Sequence, residues 1–255
     1  MSDAILPVDA ERIENVLRTS PMFKSTTNRR TFMGRILAAG GGVALGGAVG
    51  ASLLNRRPGI AHADAVMDFA TAAIGAERIA VTFYDNALGI QSPYGVAADV
   101  AKGTLLNSSH REYFMAARNQ EAEHLAVLQS LGVPDFPYHT FAFPAGTFGH
   151  ATTMLAMGES LENIFIGAYL GAIKVAATET NAFVAEAAAQ ILGVECAHRV
   201  LIRDIAGEDP PNDRWFEGDI TAPDGSLGNT GTRSTVYATA GDAVGALVGL
   251  GISPS

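Results

Sequence analysis

Six acidic and imidazole side chains stand where the helical pattern of the sequence would otherwise place apolar core residues. Four segments each provide one glutamate, and two of these segments add a histidine three residues later, so that Glu-x-x-His occurs twice. The six residues are Glu77, Glu121, His124, Glu162, Glu195 and His198. Side chains three or four residues apart lie on one face of a helix. We therefore expect all six to point into the same interior.

Four carboxylates that share one interior require positive charge nearby. An unpaired buried carboxylate is strongly disfavoured, and neighbouring carboxylates repel one another. The one base that the sequence places near these faces is Arg118, at the edge of a stripe. Metal ions could supply the charge, with each Glu-x-x-His pair giving an oxygen and a nitrogen to one ion. Glu77 and Glu162 would then bridge two ions or bind one each. Mixed carboxylate and imidazole ligands suit iron or manganese, so we predict a site for two Fe or Mn ions.

Four predicted helices position these residues, over 65–88, 110–131, 150–176 and 181–206. Apolar residues recur in them at intervals of three and four, and proline is absent from their interiors. Ser109 has capping-box spacing at the start of the second helix, and Gly132 and Gly207 mark the ends of the second and fourth. Glu77 lies 11 residues before the end of its helix and Glu121 lies 11 after the start of its own. An antiparallel pair would bring them level.

The connection between the second and third helices is long and punctuated by proline, from Val133 to Gly149. At roughly 3.3 Å per residue it could run the length of the bundle. Such a crossover would set these two helices parallel. After Gly207 the sequence becomes rich in Gly, Asp, Pro, Asn and Thr, and an apolar piece follows over 236–250. We expect an irregular C-terminal extension over 207–255 that contains a short fifth helix.

The two halves of the predicted bundle repeat one another. Glu77 is followed seven residues later by Tyr84, and Glu162 by Tyr169, and each half then ends in Glu-x-x-His. The two tyrosines are candidates for contact with the metal ligands or for ordinary core packing. Glu159, one turn before Glu162, is an alternative ligand that lacks a tyrosine at this spacing.

At residues 64–206 the chain resembles the ferritin-like superfamily. Its four-helix bundles bind two metal ions with one glutamate from each of two helices and Glu-x-x-His from each of the others. The sequence is similar in particular to exported ferritin-like domain proteins whose third helix carries Glu followed by Ala-Tyr, here Glu162 with Ala168 and Tyr169, and to plant desiccation-related proteins. The resemblance implies an all-α four-helix bundle with a dinuclear site. It leaves the activity open, since proteins of this fold differ in function.

Two classes of function follow from this resemblance. The first is a di-metal oxidoreductase with oxygen or peroxide as partner, which acts as an oxidase, a ferroxidase or a peroxide-removing enzyme. The second is a non-catalytic envelope protein, metal-binding or structural, that is associated with stress such as desiccation and has a ferritin-like scaffold. A homo-oligomer is compatible with either class, and the sequence predicts neither a cage nor a dimer.

Residues 1–63 have the pattern of an export signal. Arg29 and Arg30 precede an uncharged run of 19 residues, Ile36 to Leu54, and Ala61-His62-Ala63 offers a small-x-small cleavage site. The paired arginines predict the twin-arginine (Tat) route and a periplasmic or cell-envelope location. If the signal is cut, no stable membrane insertion is expected. An uncleaved signal, as a membrane anchor, is the alternative.

The charge of the chain excludes some partners. Residues 1–63 hold eight of the 17 basic and four of the 26 acidic residues, so the rest carries a formal charge of -13. A surface this acidic repels nucleic acid, which needs a positive field. The chain has one cysteine and cannot form an internal disulfide. Cations are therefore the expected partners.

Overall fold

The computed structural model describes residues 58–95, 105–212 and 235–255, and over 58–64 it describes the backbone alone. These ranges contain five helices, α1 (Pro58–Leu88), α2 (Ser108–Ser130), α3 (Ala151–Thr178), α4 (Ala182–Ala206) and α5 (Ala240–Gly249). The predicted all-α fold class is confirmed. Except at the start of α1, the bounds of the four long helices lie within two residues of the predicted ones.

Contacts between the helices fix their directions. Tyr84 of α1 contacts Glu162 of α3, whereas Glu77, two turns earlier on α1, contacts Tyr169, two turns later on α3. These two helices are therefore antiparallel. The same reasoning makes α1 antiparallel to α2, and α3 antiparallel to α4. It follows that α2 and α3 run parallel, and that the connection between them is the predicted crossover.

Side-chain caps and a glycine set the ends of α2 and α4. The side chain of Asn107 accepts a hydrogen bond from the backbone N–H of His110 at 2.8 Å, so Asn107 is the cap of α2. The prediction of a capping box that starts at Ser109 was wrong, because the hydroxyl of that residue donates to Asn107 instead. As predicted, α4 ends at Gly207, whose φ of 83° lies in the left-handed region that glycine adopts without a steric penalty.

The core at one end of the bundle is filled with aromatic rings. Phe83 stacks edge-on against Tyr84 with ring centroids 5.2 Å apart, and Phe114 and Phe148 lie within 6.4 Å of its ring. Met154, which is fully buried, packs in the same cluster. This end of the bundle is well filled, and offset or edge-on aromatic pairs favour such dense packing.

The segment after residue 234 packs against the bundle at two places. β1 (Phe141–Ala142), within the crossover, pairs antiparallel with β2 (Ser253–Pro254). Thr235 passes so close to α3 that a Cβ at Gly167 would lie 1.8 Å from its carbonyl oxygen, which explains the glycine. The fifth helix predicted within 236–250 is confirmed as α5. The two short strands were not predicted.

One helix of the described ranges, α3, is long and apolar enough to cross a membrane. Much of that length is buried against α1, α4 and α5. The same helix carries the buried carboxylate of Glu162. These features are typical of the central helix of a bundle.

Two sequence predictions fall largely outside the described residues. The predicted export signal covers 1–63, of which only the backbone of 58–63 is described, as the first residues of α1. The predicted cleavage site after Ala63 therefore lies inside this helix, and cleavage there would leave residues 64–88, including Glu77. The irregular segment after Gly207 is outside the described residues from 213 to 234.

Candidate metal centre

The six predicted ligands meet in the middle of the bundle, with one or two from each of α1 to α4. We call them the acid-histidine cluster: Glu77, Glu121, His124, Glu162, Glu195 and His198. The glutamates and His198 are at most 3% exposed, whereas the side chain of His124 is 11% exposed. Glu159, the alternative to Glu162, lies apart, because its carboxylate pairs with Arg203 at 2.8 Å.

The cluster divides into two overlapping groups of four, within each of which the ligand atoms lie within 4.8 Å of one another. The first group is Glu77, Glu121, His124 and Glu195, and the second is Glu121, Glu162, Glu195 and His198. Glu121 and Glu195 belong to both groups. Their carboxylates are therefore shared by the two groups, whereas Glu77 and Glu162 each belong to one group. Of the two arrangements that the sequence left open for Glu77 and Glu162, the geometry favours the terminal one.

Each histidine turns its Nδ1 atom towards the carboxylates. Nδ1 of His124 lies 3.1 Å from Glu121 and 3.2 Å from Glu195. Nδ1 of His198 lies 3.0 Å and 3.3 Å from the same two residues. Glu77 is 3.6 Å from His124, and Glu162 is 3.8 Å from His198. Each histidine therefore contacts the glutamate of the other Glu-x-x-His pair as well as the glutamate of its own pair.

The two tyrosines bind the two terminal glutamates crosswise. The hydroxyl of Tyr84 on α1 donates to Oε1 of Glu162 on α3, at 2.5 Å. The hydroxyl of Tyr169 on α3 donates to Oε1 of Glu77 on α1. The internal repeat of the sequence is therefore a structural one, and the tyrosines are partners of the candidate ligands as well as core residues. Burial raises the pKa of both phenols, and Glu162 and Glu77 respectively raise it further, so both remain donors.

Burial and mutual repulsion separate the carboxylates into two kinds. Burial raises the pKa of Glu77 well above its usual range, and the charge of Glu121 adds to the effect. Burial likewise raises the pKa of Glu162, and Glu195 adds to it. Burial alone would also raise the pKa of Glu121, but His198 and His124 outweigh it and hold that pKa well below its usual range. In the metal-free protein the two terminal glutamates therefore favour the neutral acid.

The two imidazoles respond to the same charges in the opposite direction. Burial alone would lower the pKa of His124, but Glu77, Glu121 and Glu195 together raise it far above its usual value. Glu121 and Glu195 do the same for His198. Both rings are thus imidazolium in the metal-free protein, and they take the place of the positive charge that a metal ion would supply.

The oxygen atoms of the cluster fit metal ions. Within the described ranges, each of the four glutamates has one buried oxygen that accepts no well-aligned hydrogen bond: Oε2 of Glu77, Oε1 of Glu121, Oε2 of Glu162 and Oε1 of Glu195. The nearest positive groups to the oxygens of Glu121 and Glu195 are the imidazole Nδ1 atoms, at 3.0 Å and 3.2 Å. Buried oxygens are normally satisfied, and groups that are not require an explanation. Divalent cations coordinated by these oxygens and by the two Nδ1 atoms would satisfy all four. The donor set is therefore appropriate for iron or manganese.

The two histidines of the cluster differ in the partners of their Nε2 atoms. Nε2 of His198 donates to the side-chain oxygen of Gln120, at 2.8 Å. In the internal repeat Gln120 corresponds to Val194, the residue before Glu195, and the described residues give Nε2 of His124 no partner. Gln120 was not predicted from the sequence, because its position beside Glu121 is on the more polar side of α2. The two positions are thus unequal, with His198 fixed in orientation and His124 partly open to solvent.

Several arginines near the cluster pair with carboxylates outside it. Arg118 binds the buried Asp85 at 2.9 Å and Arg78 binds Asp135 at 2.8 Å. Burial raises the pKa of Asp85 against the opposing effect of Arg118. The sequence analysis identified Arg118 but neither Arg78 nor Asp85. Asp85 lies eight residues after Glu77, a spacing that keeps to one stripe of a helix, so the test that found the cluster could have found it.

A bundle with two parallel central helices, and with carboxylates and histidines converging from four helices, defines a class of di-metal carboxylate proteins. A sequence model of the family described as ferritin-like domain matches residues 65–208. The match covers more than half of the chain, and the protein therefore belongs to the ferritin-like domain family. No curated protein and no solved structure matched the chain.

Proposed function

We propose that this protein binds two iron or manganese ions in the acid-histidine cluster and uses them to oxidise ferrous iron with dioxygen as the electron acceptor, or to remove peroxide. The observation that carries the proposal is the pair of overlapping ligand groups that share Glu121 and Glu195. Two shared carboxylates would hold two ions close together, an arrangement that suits chemistry in which more than one electron moves. Two such ions would supply the redox chemistry.

The ligand roles follow from the distances. Glu77 with His124 would hold one ion, and Glu162 with His198 the other, with Glu121 and Glu195 between them. Gln120 would keep the proton of His198 on Nε2, so that Nδ1 carries the lone pair once the ring is neutral.

The tyrosines would keep the terminal glutamates in position. Each phenol donates to one oxygen of its glutamate and leaves the other oxygen free for an ion. Because burial raises their pKa, Tyr84 and Tyr169 stay protonated and continue to donate when the glutamates ionise. The hydrogen bonds would thereby direct the remaining oxygens of Glu77 and Glu162 towards the ions.

We also propose that the protein is exported by the twin-arginine route. The support is the sequence pattern of residues 1–63, with Arg29 and Arg30 before an uncharged run. Since this route carries folded proteins, it would allow the cluster to be loaded with metal before export. The test is the amount of protein found in the cell-envelope fraction. Loss of the protein from that fraction when Arg29 and Arg30 are both changed to lysine would support the proposal, and an unchanged distribution of the double variant would refute it.

The activity is tested by turnover. The metal-loaded protein is supplied with ferrous iron or with hydrogen peroxide, and ferric iron formed or peroxide consumed is followed over many equivalents. We expect turnover that falls at least tenfold in Glu162→Gln and is unchanged in Glu112→Gln, an exposed glutamate on α2. Metal that binds without turnover of either substrate would favour the alternative, a non-catalytic protein of stress or desiccation.

A further inference from the structure

A cavity of about 50 Å³, partly open to the surface, lies between the helices beside the acid-histidine cluster. Side chains of all five helices form its wall. Its wall on α1 to α4 includes Ala73, Leu128, Phe165 and Ile191, each three or four residues, or about one helical turn, from a candidate ligand. The cavity therefore occupies the layer of the bundle next to the layer of the ligands.

The wall of this cavity is apolar. Of the 21 residues that line it, only Tyr169 carries a polar side-chain group, and its hydroxyl is hydrogen-bonded to Glu77. A buried water needs two to four polar partners, and apolar cavities without them stay dry. The cavity is thus unsuited to water, to peroxide and to metal ions.

The opposite side of the cluster is tightly packed around Gly158. A Cβ at Gly158 would lie 2.7 Å from the ring of Phe83 and 2.9 Å from the side chain of Ile202. Nine of the 21 cavity-lining residues are alanine, whereas aromatic rings fill the core on the other side. An unfilled cavity destabilises a fold. Its location on one side of the cluster, next to Tyr169, suggests a use for the space.

We propose that this cavity is a binding site for dioxygen. Dry apolar cavities bind small apolar molecules, and an engineered one of about 150 Å³ takes benzene or xenon. A cavity a third of that size suits a diatomic gas. The choice of dioxygen as that gas rests on the proposed function, in which the neighbouring metal ions react with oxygen. Charged substrates would have to approach by another route, and the side chain of His124, 11% exposed, is the member of the cluster most open to solvent.

Paramagnetic dioxygen gives a direct test on the metal-free full-length chain. Alanine, isoleucine, leucine and valine methyl groups are labelled, and their NMR relaxation and shifts are measured as oxygen pressure rises, with nitrogen as the diamagnetic control. We expect saturable effects at Ala73, Ile164 and Ala188, much larger than at exposed methyl groups. Xenon, as a second probe, should perturb the same methyl groups.

Two substitutions on one helix separate the cavity from general effects. Ala188→Leu adds three carbon atoms to the wall, and should weaken the oxygen and xenon effects at least tenfold. Ala189→Leu, one residue along on the exposed side of α4, should behave as the parent protein. Should Ala188→Leu fail to fold, Ala172→Leu fills the same cavity from α3.

The proposal is overturned by oxygen effects spread evenly over the methyl groups, by none that saturate, or by effects that survive filling of the cavity. Xenon binding without dioxygen binding would overturn it as well. None of these measurements requires a bound metal. A chain that binds no metal would refute the proposed function alone, and its oxygen titration would still decide this inference.

Discussion

Glu77 and Glu121 differ in the number of ligand groups to which they belong, and replacing each by glutamine should therefore release different amounts of metal. Glu77 belongs to one group and Glu121 to both. Glutamine keeps the shape of the side chain, and at residue 77 it can still accept the hydrogen bond of Tyr169. It also resembles the neutral acid that burial favours there in the metal-free protein. Glu77→Gln should thus leave the metal-free fold intact.

The size of the effect can be worked out per ligand. Structural zinc sites gain about 10–16 kcal/mol from four ligands, or roughly 3 kcal/mol for each, which corresponds to about 100-fold in Kd. Loss of Glu77 should therefore weaken one ion by about 100-fold and leave about one tightly bound ion per chain. Loss of Glu121 should weaken both ions by about 100-fold each, and leave little metal after dialysis.

The assay combines metal content per chain with calorimetric titration of the metal-free protein. Glu112→Gln, on an exposed part of α2, is the control for loss of one carboxylate and should bind as the parent does. The reasoning would be refuted if Glu77→Gln released both ions and Glu121→Gln only one, because Glu77 would then be a bridging residue.

Three further predictions concern protons and packing. Two carboxyl and two imidazole groups of the cluster have raised pKa values and must lose their protons to bind metal. Metal affinity should therefore rise between about pH 6 and pH 8, by about tenfold per pH unit for each proton released. Calorimetric titrations that give the same affinity across this range would contradict the prediction. Tyr84→Phe removes the hydrogen bond to Glu162 and should lower the free energy of unfolding by about 1–3 kcal/mol in urea titrations. Tyr113→Phe, at an exposed ring, should leave the free energy of unfolding unchanged, and equal effects of the two substitutions would refute the argument. Gly158→Ala should destabilise the fold by about 1–3 kcal/mol, since the new Cβ would lie 2.7 Å from the ring of Phe83. Gly193→Ala, whose Cβ would have nothing within 4 Å, should stabilise the fold by about 0.5–1 kcal/mol. The opposite order of stabilities would be inconsistent with the packing.

Much of the bundle could be predicted from local patterns. Apolar residues at helical spacing located all four long helices, and glycine with proline located the ends of α2 and α4. The equal distances of Glu77 and Glu121 from the ends of their helices predicted that they would lie level, and they do. The same local test, a polar residue on an apolar face, found all six members of the cluster.

Features that depend on contacts between distant segments could not be predicted in this way. The pairing of Arg78 with Asp135 joins α1 to the crossover, and nothing in either local pattern indicates it. The contact of Gln120 with His198 depends on how α2 and α4 are rotated about their axes. The assignment of shared carboxylates to Glu121 rather than Glu77 depends on the same rotations. Periodicity shows which face of a helix is buried and leaves its partner unspecified.

The central claim is that two redox-active metal ions occupy the acid-histidine cluster. Inductively coupled plasma mass spectrometry on the mature protein, purified from the compartment in which it resides, tests this most directly. We expect about two iron or manganese ions per chain, reduced to little or none in Glu121→Gln. A folded, helical protein that contains no bound iron or manganese would contradict it.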